Sequence, residues 1–265
     1  MTILRLFLPA LGWLATACGG AATSRPAATA AAAEPKEYTY RIVASWPHDT
    51  GAYTQGLQYA DGLLWESTGE YGRSELRTTD LATGAVRTLA RLPRTEFGEG
   101  MTLLDSLVYQ LTWESNTCHV YDRATGDRLR DFRYAGEGWG LTTDGRSLYL
   151  SNGTANIYTI DPQTFRRTGS RTVTYRGEAV PLLNELEWID GRIWANVYTT
   201  DSILIIDPET GVAEARIDLA GLLPEAERTS ETDVLNGIAC DPATGRIFLT
   251  GKRWPKIYQI ELVER

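Results

Sequence analysis

Gln55-Gly56-Leu57 is the first of five related tripeptides, and four others follow it: Glu99-Gly100-Met101, Trp139-Gly140-Leu141, Asn184-Glu185-Leu186 and Asn236-Gly237-Ile238. Their middle residues are 44, 40, 45 and 52 positions apart, the length of a four-stranded β unit and far longer than a helical hairpin repeat. After each of the first four comes a stretch such as Asp80-Leu81-Ala82-Thr83-Gly84, whose residues favour a tight turn between strands. The sequence therefore predicts an all-β chain of repeated four-stranded units.

The fifth repeat is one strand short, because residues 237–265 number only 29. Residues 38–46 alternate apolar and polar side chains ahead of the first repeat, as a half-buried strand does. They can supply the outer strand of the last unit and close a ring, which leaves only short, protected strand edges. We therefore expect a five-bladed β-propeller closed by an N-terminal strand, within the roughly 4 to 8 blades that propellers use.

The N-terminus has a different composition from the repeats. Arg5 precedes an apolar stretch, residues 6–14, and small residues lead to Cys18, which resembles a bacterial lipoprotein signal. Ala15 stands where such signals more often have Leu, so an ordinary signal peptide with nearby cleavage is the alternative. We predict a signal over residues 1–18, an Ala- and Pro-rich disordered tether over 19–36, and the catalytic propeller over 37–265.

This organisation predicts an exported protein, a periplasmic or outer-surface lipoprotein anchored through Cys18. No other apolar stretch approaches the ~18 residues of a membrane helix, so we expect membrane contact only through the lipid. With 26 basic and 34 acidic residues, the chain has a net charge of −8 and no basic face for nucleic acid is expected. Cys118 and Cys240 lie in different repeats, and whether they pair is open.

In a propeller the first strand of each blade lines the central channel, so the residues that begin the five tripeptides should converge at one mouth. For any single one of them, a polar residue that merely starts a strand is the simpler explanation. Glu99 is unusual because Gly98 and Gly100 flank it, and apolar surroundings would raise its pKa towards that of a general acid/base. Trp113, Tyr198 and Lys252 occupy matching strand ends in other repeats.

Several classes of site are disfavoured by the residue counts. The chain has two histidines and no Cys-x-x-Cys or His-Glu-x-x-His motif, so we expect no metal and no cofactor. It has no Gly-x-Ser-x-Gly elbow and no phosphate-binding glycine loop. A carboxylate, amides, one amine and aromatic walls remain, and this set suits a small polar substrate that needs proton transfer.

From about residue 40 to residue 260 the chain resembles the plant and bacterial glutaminyl-peptide cyclotransferases, which are metal-independent five-bladed propellers. The matching motifs are Tyr53-Thr54-Gln55-Gly56-Leu57, Glu66-Ser67-Thr68-Gly69, Phe97-Gly98-Glu99-Gly100, Leu111-Thr112-Trp113, Glu137-Gly138-Trp139-Gly140-Leu141, Leu183-Asn184-Glu185-Leu186, Leu235-Asn236-Gly237-Ile238 and Thr250-Gly251-Lys252. The resemblance implies conversion of N-terminal glutaminyl residues of peptides or proteins to pyroglutamyl, with release of ammonia. We expect a monomer.

The resemblance also implies roles for individual residues. Glu99 would be the acid/base, with Gln55, Asn184 and Lys252 as further catalytic residues. The division of the α-amine, carboxamide oxygen and peptide carbonyl among those three stays open, as does the donor to the oxyanion. The expected substrate-binding residues are Tyr53, Phe97, Trp113, Trp139, Tyr198 and Asn236. Tyr198 departs from the family, which often has Trp there, and its hydroxyl bears on substrate preference.

Two other functions fit a propeller. In a lactonase-like hydrolase, Glu99, Asn184 and Asn236 would bind a divalent cation through oxygen, but the ammonium of Lys252 would oppose that cation. A non-catalytic propeller would instead display a protein-binding face, and the fold alone does not decide between enzyme and scaffold.

Overall fold

A computed structural model describes residues 34–265, which form 22 strands and one three-residue 3₁₀ helix, Glu225–Glu227. The chain is therefore all-β over this range, as the repeats predicted. The predicted signal with Cys18, and the tether as far as residue 33, lie outside the described residues. Within 34–265 there is no helix long and apolar enough to cross a membrane.

The first strand and the first three groups of four follow the repeats closely. Each group is an antiparallel meander in which successive strands pair. The strands are β1 (Lys36–Pro47); β2 (Thr54–Ala60), β3 (Leu63–Thr68), β4 (Glu75–Asp80) and β5 (Val86–Arg91); β6 (Gly98–Leu104), β7 (Leu107–Thr112), β8 (Thr117–Asp122) and β9 (Arg128–Arg133); β10 (Leu141–Thr143), β11 (Leu148–Leu150), β12 (Asn156–Ile160) and β13 (Arg167–Thr172).

The last two groups join into one eight-stranded sheet in the order β16-β17-β18-β19-β1-β22-β21-β20, beside a small hairpin of β14 and β15. Their strands are β14 (Thr174–Tyr175), β15 (Glu178–Ala179), β16 (Leu183–Ile189), β17 (Arg192–Val197), β18 (Ser202–Ile206), β19 (Ala213–Asp218), β20 (Leu235–Asp241), β21 (Arg246–Gly251) and β22 (Lys256–Glu264). The fourth group is β16–β19, and the fifth is β20–β22 completed by β1.

Strand β1 supplies the strand that the fifth repeat lacks. It runs antiparallel to β22, from Tyr38 opposite Glu264 to Pro47 opposite Lys256, which confirms the pairing expected from its alternating pattern. Its first three residues also pair in parallel with β19, Lys36 opposite Ala215. The sequence did not predict this second pairing, which joins the fourth group to the fifth.

The turns explain why the strands reverse where they do. Between β2 and β3, Asp61 and Gly62 have φ of 53° and 82°, the two positive values that a tight hairpin turn requires. Between β4 and β5, Asp80 Oδ1 accepts hydrogen bonds of 2.8 and 3.1 Å from two backbone N–H groups that follow it. The same bonds recur in the later groups at Asp122, Asp161 and Asp207.

The first strands of the groups pack closely on one another. A Cβ added to Gly56, Gly100 or Gly140 would lie 2.5, 2.5 and 2.0 Å, respectively, from backbone atoms of the next repeat, so only glycine permits this approach. Strand β2 contacts β6, β6 contacts β10, β10 contacts β16, β16 contacts β20, and β20 contacts β2.

Five hydrophobic clusters lie between consecutive groups. In the cluster between the fifth and first groups, for example, Phe248 and Ile257 pack with Leu57 and Leu64. The other four join the first group to the second, the second to the third, the third to the fourth and the fourth to the fifth. Cys118 and Cys240 are free thiols in two different clusters, which answers the question of their pairing.

Glu185 stands where the four other repeats have glycine, and its side chain forms hydrogen bonds to two other strands. Its Oε1 accepts a 3.2 Å hydrogen bond from Leu57 N and its Oε2 a 2.9 Å bond from Ile238 N. It therefore links β16 to β2 and β20 at once. Burial raises the pKa of this carboxyl well above its usual range, although the two backbone donors act against the rise.

Candidate active site

A cavity of about 290 Å³ opens where the first strands begin and the second strands end. Nine of the ten side chains that the sequence singled out line it together: Tyr53, Gln55, Phe97, Glu99, Trp113, Trp139, Asn184, Tyr198 and Lys252. They come from all five groups. The convergence follows from the packing of the first strands described above, because these contacts bring the starts of all five strands to the same place.

Glu99 lies on β6 with glycine on both sides. A Cβ on Gly98 would lie 2.5 Å from Thr68 O, and one on Gly100 would lie 2.5 Å from Trp139 O, so the backbone here is fixed between two neighbours. The Glu99 side chain is buried, and its Oε1 accepts a 3.1 Å hydrogen bond from Gln55 Nε2. Few polar groups therefore compensate for the loss of water around it.

Burial raises the pKa of Glu99 well above its usual range. The nearby ammonium of Lys252 acts in the opposite direction, and the charge of Glu137 adds to the rise. A carboxyl group with a raised pKa holds a proton more readily than an ordinary glutamic acid does, and this property suits a general acid/base.

Gln55 is oriented from behind by Asn236. Asn236 Nδ2 donates to Gln55 Oε1 at 3.2 Å and to Thr54 O at 2.9 Å, so the Gln55 amide nitrogen faces Glu99. Asn236 itself is fully buried and is not among the residues that line the cavity, so its contact with substrate stays a prediction. Its amide nitrogen is held by Thr54 O and Gln55 Oε1, so the Asn236 side chain lies behind Gln55.

Lys252 follows β21, and its ammonium lies over two aromatic rings, 4.7 Å from the Tyr53 centroid and 4.9 Å from the Tyr198 centroid. Such cation–π contacts stabilise a charge that has lost water. Burial lowers the pKa of Lys252, while the carboxylates of Glu99 and Asp233 oppose the shift. The site thus holds a buried amine and a buried acid whose protonation states depend on each other.

The cavity walls are aromatic, and glycines set the position of two rings. Phe97 meets Tyr53 and Trp113 edge to face, both at 5.9 Å between centroids, and Trp139 meets Tyr198 at 5.6 Å. A Cβ on Gly69 would lie 2.3 Å from the Phe97 ring, and one on Gly153 would lie 2.6 Å from the Trp139 ring. The walls therefore exclude water on several sides of Glu99.

Two carboxylates that sequence reasoning missed hold these walls in place. Glu137 Oε2 accepts hydrogen bonds from Trp113 Nε1 at 2.7 Å and Trp139 Nε1 at 2.8 Å. Asp233 Oδ2 accepts one from the Tyr53 hydroxyl at 2.8 Å, and burial followed by this bond raises the pKa of Tyr53. Glu137 lies in the recurring motif around Trp139, but Trp113, its second partner, is 24 residues away.

The histidines and acidic residues of the chain do not assemble into a metal centre within residues 34–265, where no group of three or more His, Cys, Asp or Glu is placed to hold an ion. His48 contacts Glu66 at 3.1 Å, and His119 lies between Glu96 and Asp131 at 2.6 and 2.9 Å. Both rings are thus engaged outside the cavity.

Comparison with known proteins gives concordant results. The sequence model of the glutamine cyclotransferase family matches residues 13–262. A glutaminyl-peptide cyclotransferase of Arabidopsis thaliana is 46% identical over 227 residues, which cover 83% of this chain and 70% of that protein. The crystal structure of Myxococcus xanthus glutaminyl cyclase superposes with a TM-score of 0.81 at 35% identity, covering 88% of this chain and 100% of that chain.

Proposed function

The chain belongs to the glutamine cyclotransferase family, and we propose that Glu99 carries the proton in its reaction. The enzyme is a glutaminyl-peptide cyclotransferase, which converts the N-terminal glutaminyl residue of a peptide to pyroglutamyl and releases ammonia. The observation that carries the proposal is the buried Glu99 carboxyl beside the Lys252 ammonium in an aromatic cavity.

We infer further that the fold is a five-bladed β-propeller closed by β1. Its support is the set of five groups of four strands, the five hydrophobic clusters between consecutive groups, and the contacts that return from β20 to β2. In this architecture the cavity lies at the mouth of the central channel, and Glu185 fills the channel beneath it.

The reaction is an intramolecular acyl transfer. The α-amine nitrogen attacks the γ-carboxamide carbon and forms the lactam C–N bond, after which the original C–NH₂ bond breaks. The attacking nitrogen must lose a proton, and the departing nitrogen must gain one before it leaves as ammonia. Glu99 as carboxylate takes the first proton and as acid delivers the second, so it ends each turnover in its starting state.

Other residues of the cavity fold the substrate and stabilise charge. The aromatic walls hold the side chain curled back on the amine, a positioning effect that can lower the barrier substantially. Lys252 and the amide of Asn184 are the donors available to the developing oxyanion, and one such donor contributes about 3 to 4 kcal/mol. Gln55, held by Asn236, donates to Glu99 and so fixes the direction of its carboxyl group.

Glu99→Gln tests the proton-carrier role because it keeps shape and polarity. We expect turnover of a Gln-initiated peptide, measured as ammonia release, to fall about 10²- to 10⁴-fold. Peptide binding and the melting temperature should be retained. Glu187→Gln is the matched control, since Glu187 is a buried carboxyl with a raised pKa that lies outside the cavity. Turnover of Glu99→Gln within threefold of the parent would refute the mechanism. The same assay of the parent enzyme with and without a chelator tests whether turnover depends on a metal ion.

We also propose that the enzyme is exported and anchored through a lipid on Cys18, and that it acts as a monomer. The support is the sequence itself: an apolar stretch after Arg5, small residues before Cys18, and an Ala- and Pro-rich segment behind it. Cys18→Ala should move the protein from the membrane fraction to the soluble fraction with its activity intact. Unchanged membrane retention of the variant would contradict the anchor.

A further inference from the structure

A second depression of about 380 Å³ adjoins the active cavity. We call it the rim groove. It lies between the turn that joins β17 to β18, which carries Thr199 and Asp201, and the segment before β20, which carries Arg228, Thr232 and Asp233. Its lining is mostly polar, unlike the aromatic walls of the cavity.

The rim groove and the cavity share a wall. Asp233 lines the groove, and its carboxylate accepts the hydrogen bond from the Tyr53 hydroxyl, which lines the cavity. Asp233 N also donates to Lys252 O at 3.1 Å. On the other side, Tyr198 lines the cavity and the next residue, Thr199, lines the groove. A peptide chain that leaves the cavity beside Tyr53 or Tyr198 therefore enters the groove.

Thr199 adds an independent observation. Its φ is 66°, a left-handed conformation that is rare for a β-branched residue. Strained backbone of this kind collects at ligand-binding sites, where surrounding structure enforces it. Thr199 lies at the junction between the cavity wall at Tyr198 and the groove.

The charge of the rim groove is negative. Asp201 is exposed, and its carboxylate makes no hydrogen bond or ion pair with any residue of the described range 34–265. Asp233 is the second carboxylate. The one guanidinium, Arg228, already faces Glu225 at 3.6 Å. An incoming basic side chain therefore finds an unpaired carboxylate at Asp201.

We propose that the rim groove binds the residues that follow the N-terminal glutamine of a peptide substrate and favours a basic side chain there. The inference rests on the proposed function, since it assumes that the glutaminyl residue occupies the cavity. Its α-amine and side chain then point inward, and its carbonyl leads the rest of the peptide outward past Tyr198 and Asp233.

The test compares kcat/KM for glutamine amide, Gln-Lys-Ala and Gln-Glu-Ala. We expect the Lys peptide to exceed the Glu peptide about two- to fivefold, the effect of one exposed ion pair, and the ratio to fall in high salt. Asp201→Asn should bring the ratio close to one without changing glutamine amide turnover. Asp127→Asn is the control, because the β8–β9 turn that carries Asp127 lies at the opposite end of the strands.

The outcomes separate the two claims. Failure of the parent enzyme to cyclise glutamine amide would refute the proposed function. Cyclisation of all three substrates with equal efficiency, or a ratio that Asp201→Asn leaves unchanged, would refute the groove while leaving the function intact.

Discussion

Gly140 offers a direct test of how strand packing controls the active site. Its φ is not in the left-handed region, so alanine is conformationally allowed. An alanine Cβ would nevertheless lie 2.0 Å from Asn184 O and 2.9 Å from Leu186 Cγ. Real Cβ contacts do not fall below 3.0 Å, so the two strands must separate by about 1.0 Å or more.

The separation has two measurable effects. Overpacking against backbone costs about 3 kcal/mol, which in a domain of this size lowers Tm by about 6 to 12 °C. Asn184 moves with its own carbonyl, and a misplacement of 1 Å in an active site costs about 100-fold in rate. We therefore expect Gly140→Ala to lower both Tm and kcat/KM for a Gln-initiated peptide, measured by calorimetry and ammonia release.

Gly169→Ala is the control, because a Cβ there would meet Thr159 Oγ1 at an ordinary 3.5 Å. It should match the parent in both assays. If Gly140→Ala stays within 2 °C and threefold of the parent, the close approach of β10 to β16 does not hold Asn184 in place and the reasoning fails.

Three further perturbations test other parts of the structure. Glu137→Ala removes the acceptor shared by the two cavity tryptophans and should lower kcat/KM about tenfold, because each buried donor left unpaired costs about 1 to 3 kcal/mol; unchanged kinetics would contradict this. Because the pKa of Glu185 is raised in the folded state, this carboxyl ionises at lower pH in the unfolded chain than in the folded one. The stability of the parent should therefore fall as pH rises above the ordinary glutamate range. Glu185→Gln should flatten the decline of Tm between pH 5 and 8, and equal slopes for parent and variant would count against this. Deletion through Trp46 should abolish cooperative unfolding whereas deletion through Ala33 should not, as thermal melts of both would reveal.

The repeat predicted most of the residues that line the cavity, because their place at the start or end of a strand brings them there. Glu99 and Asn184 reach the cavity because each lies at the start of a first strand. Lys252 followed in the same way from its place at a strand end. Asn236 is the exception, because its amide binds Thr54 O and Gln55 Oε1, and these contacts are set by the assembled strands rather than by its position in the repeat.

Other features had no signature in the sequence. Glu137 and Asp233 act through Trp113 and Tyr53, which are distant along the chain, so their importance emerges only when the strands are assembled. The pairing of β1 with β19 spans three residues in parallel, too short for any periodic pattern. Whether the two buried cysteines form a disulfide depends on where their side chains lie, and the number of residues between them does not reveal this.

The pairing of β1 with β22 also has a consequence for the order of assembly. Of the strands described, β1 is synthesised first and β22 last, and Tyr38 of β1 lies opposite Glu264 of β22. Contacts this distant in sequence form slowly, because the entropy of closing the loop is lost before the contact stabilises anything. The fifth group carries Lys252 and Asp233, so the cavity should acquire its ammonium only in the final step of folding. An incompletely synthesised chain would then be inactive, and a recovery of activity that lags behind strand formation during refolding would mark this closing step.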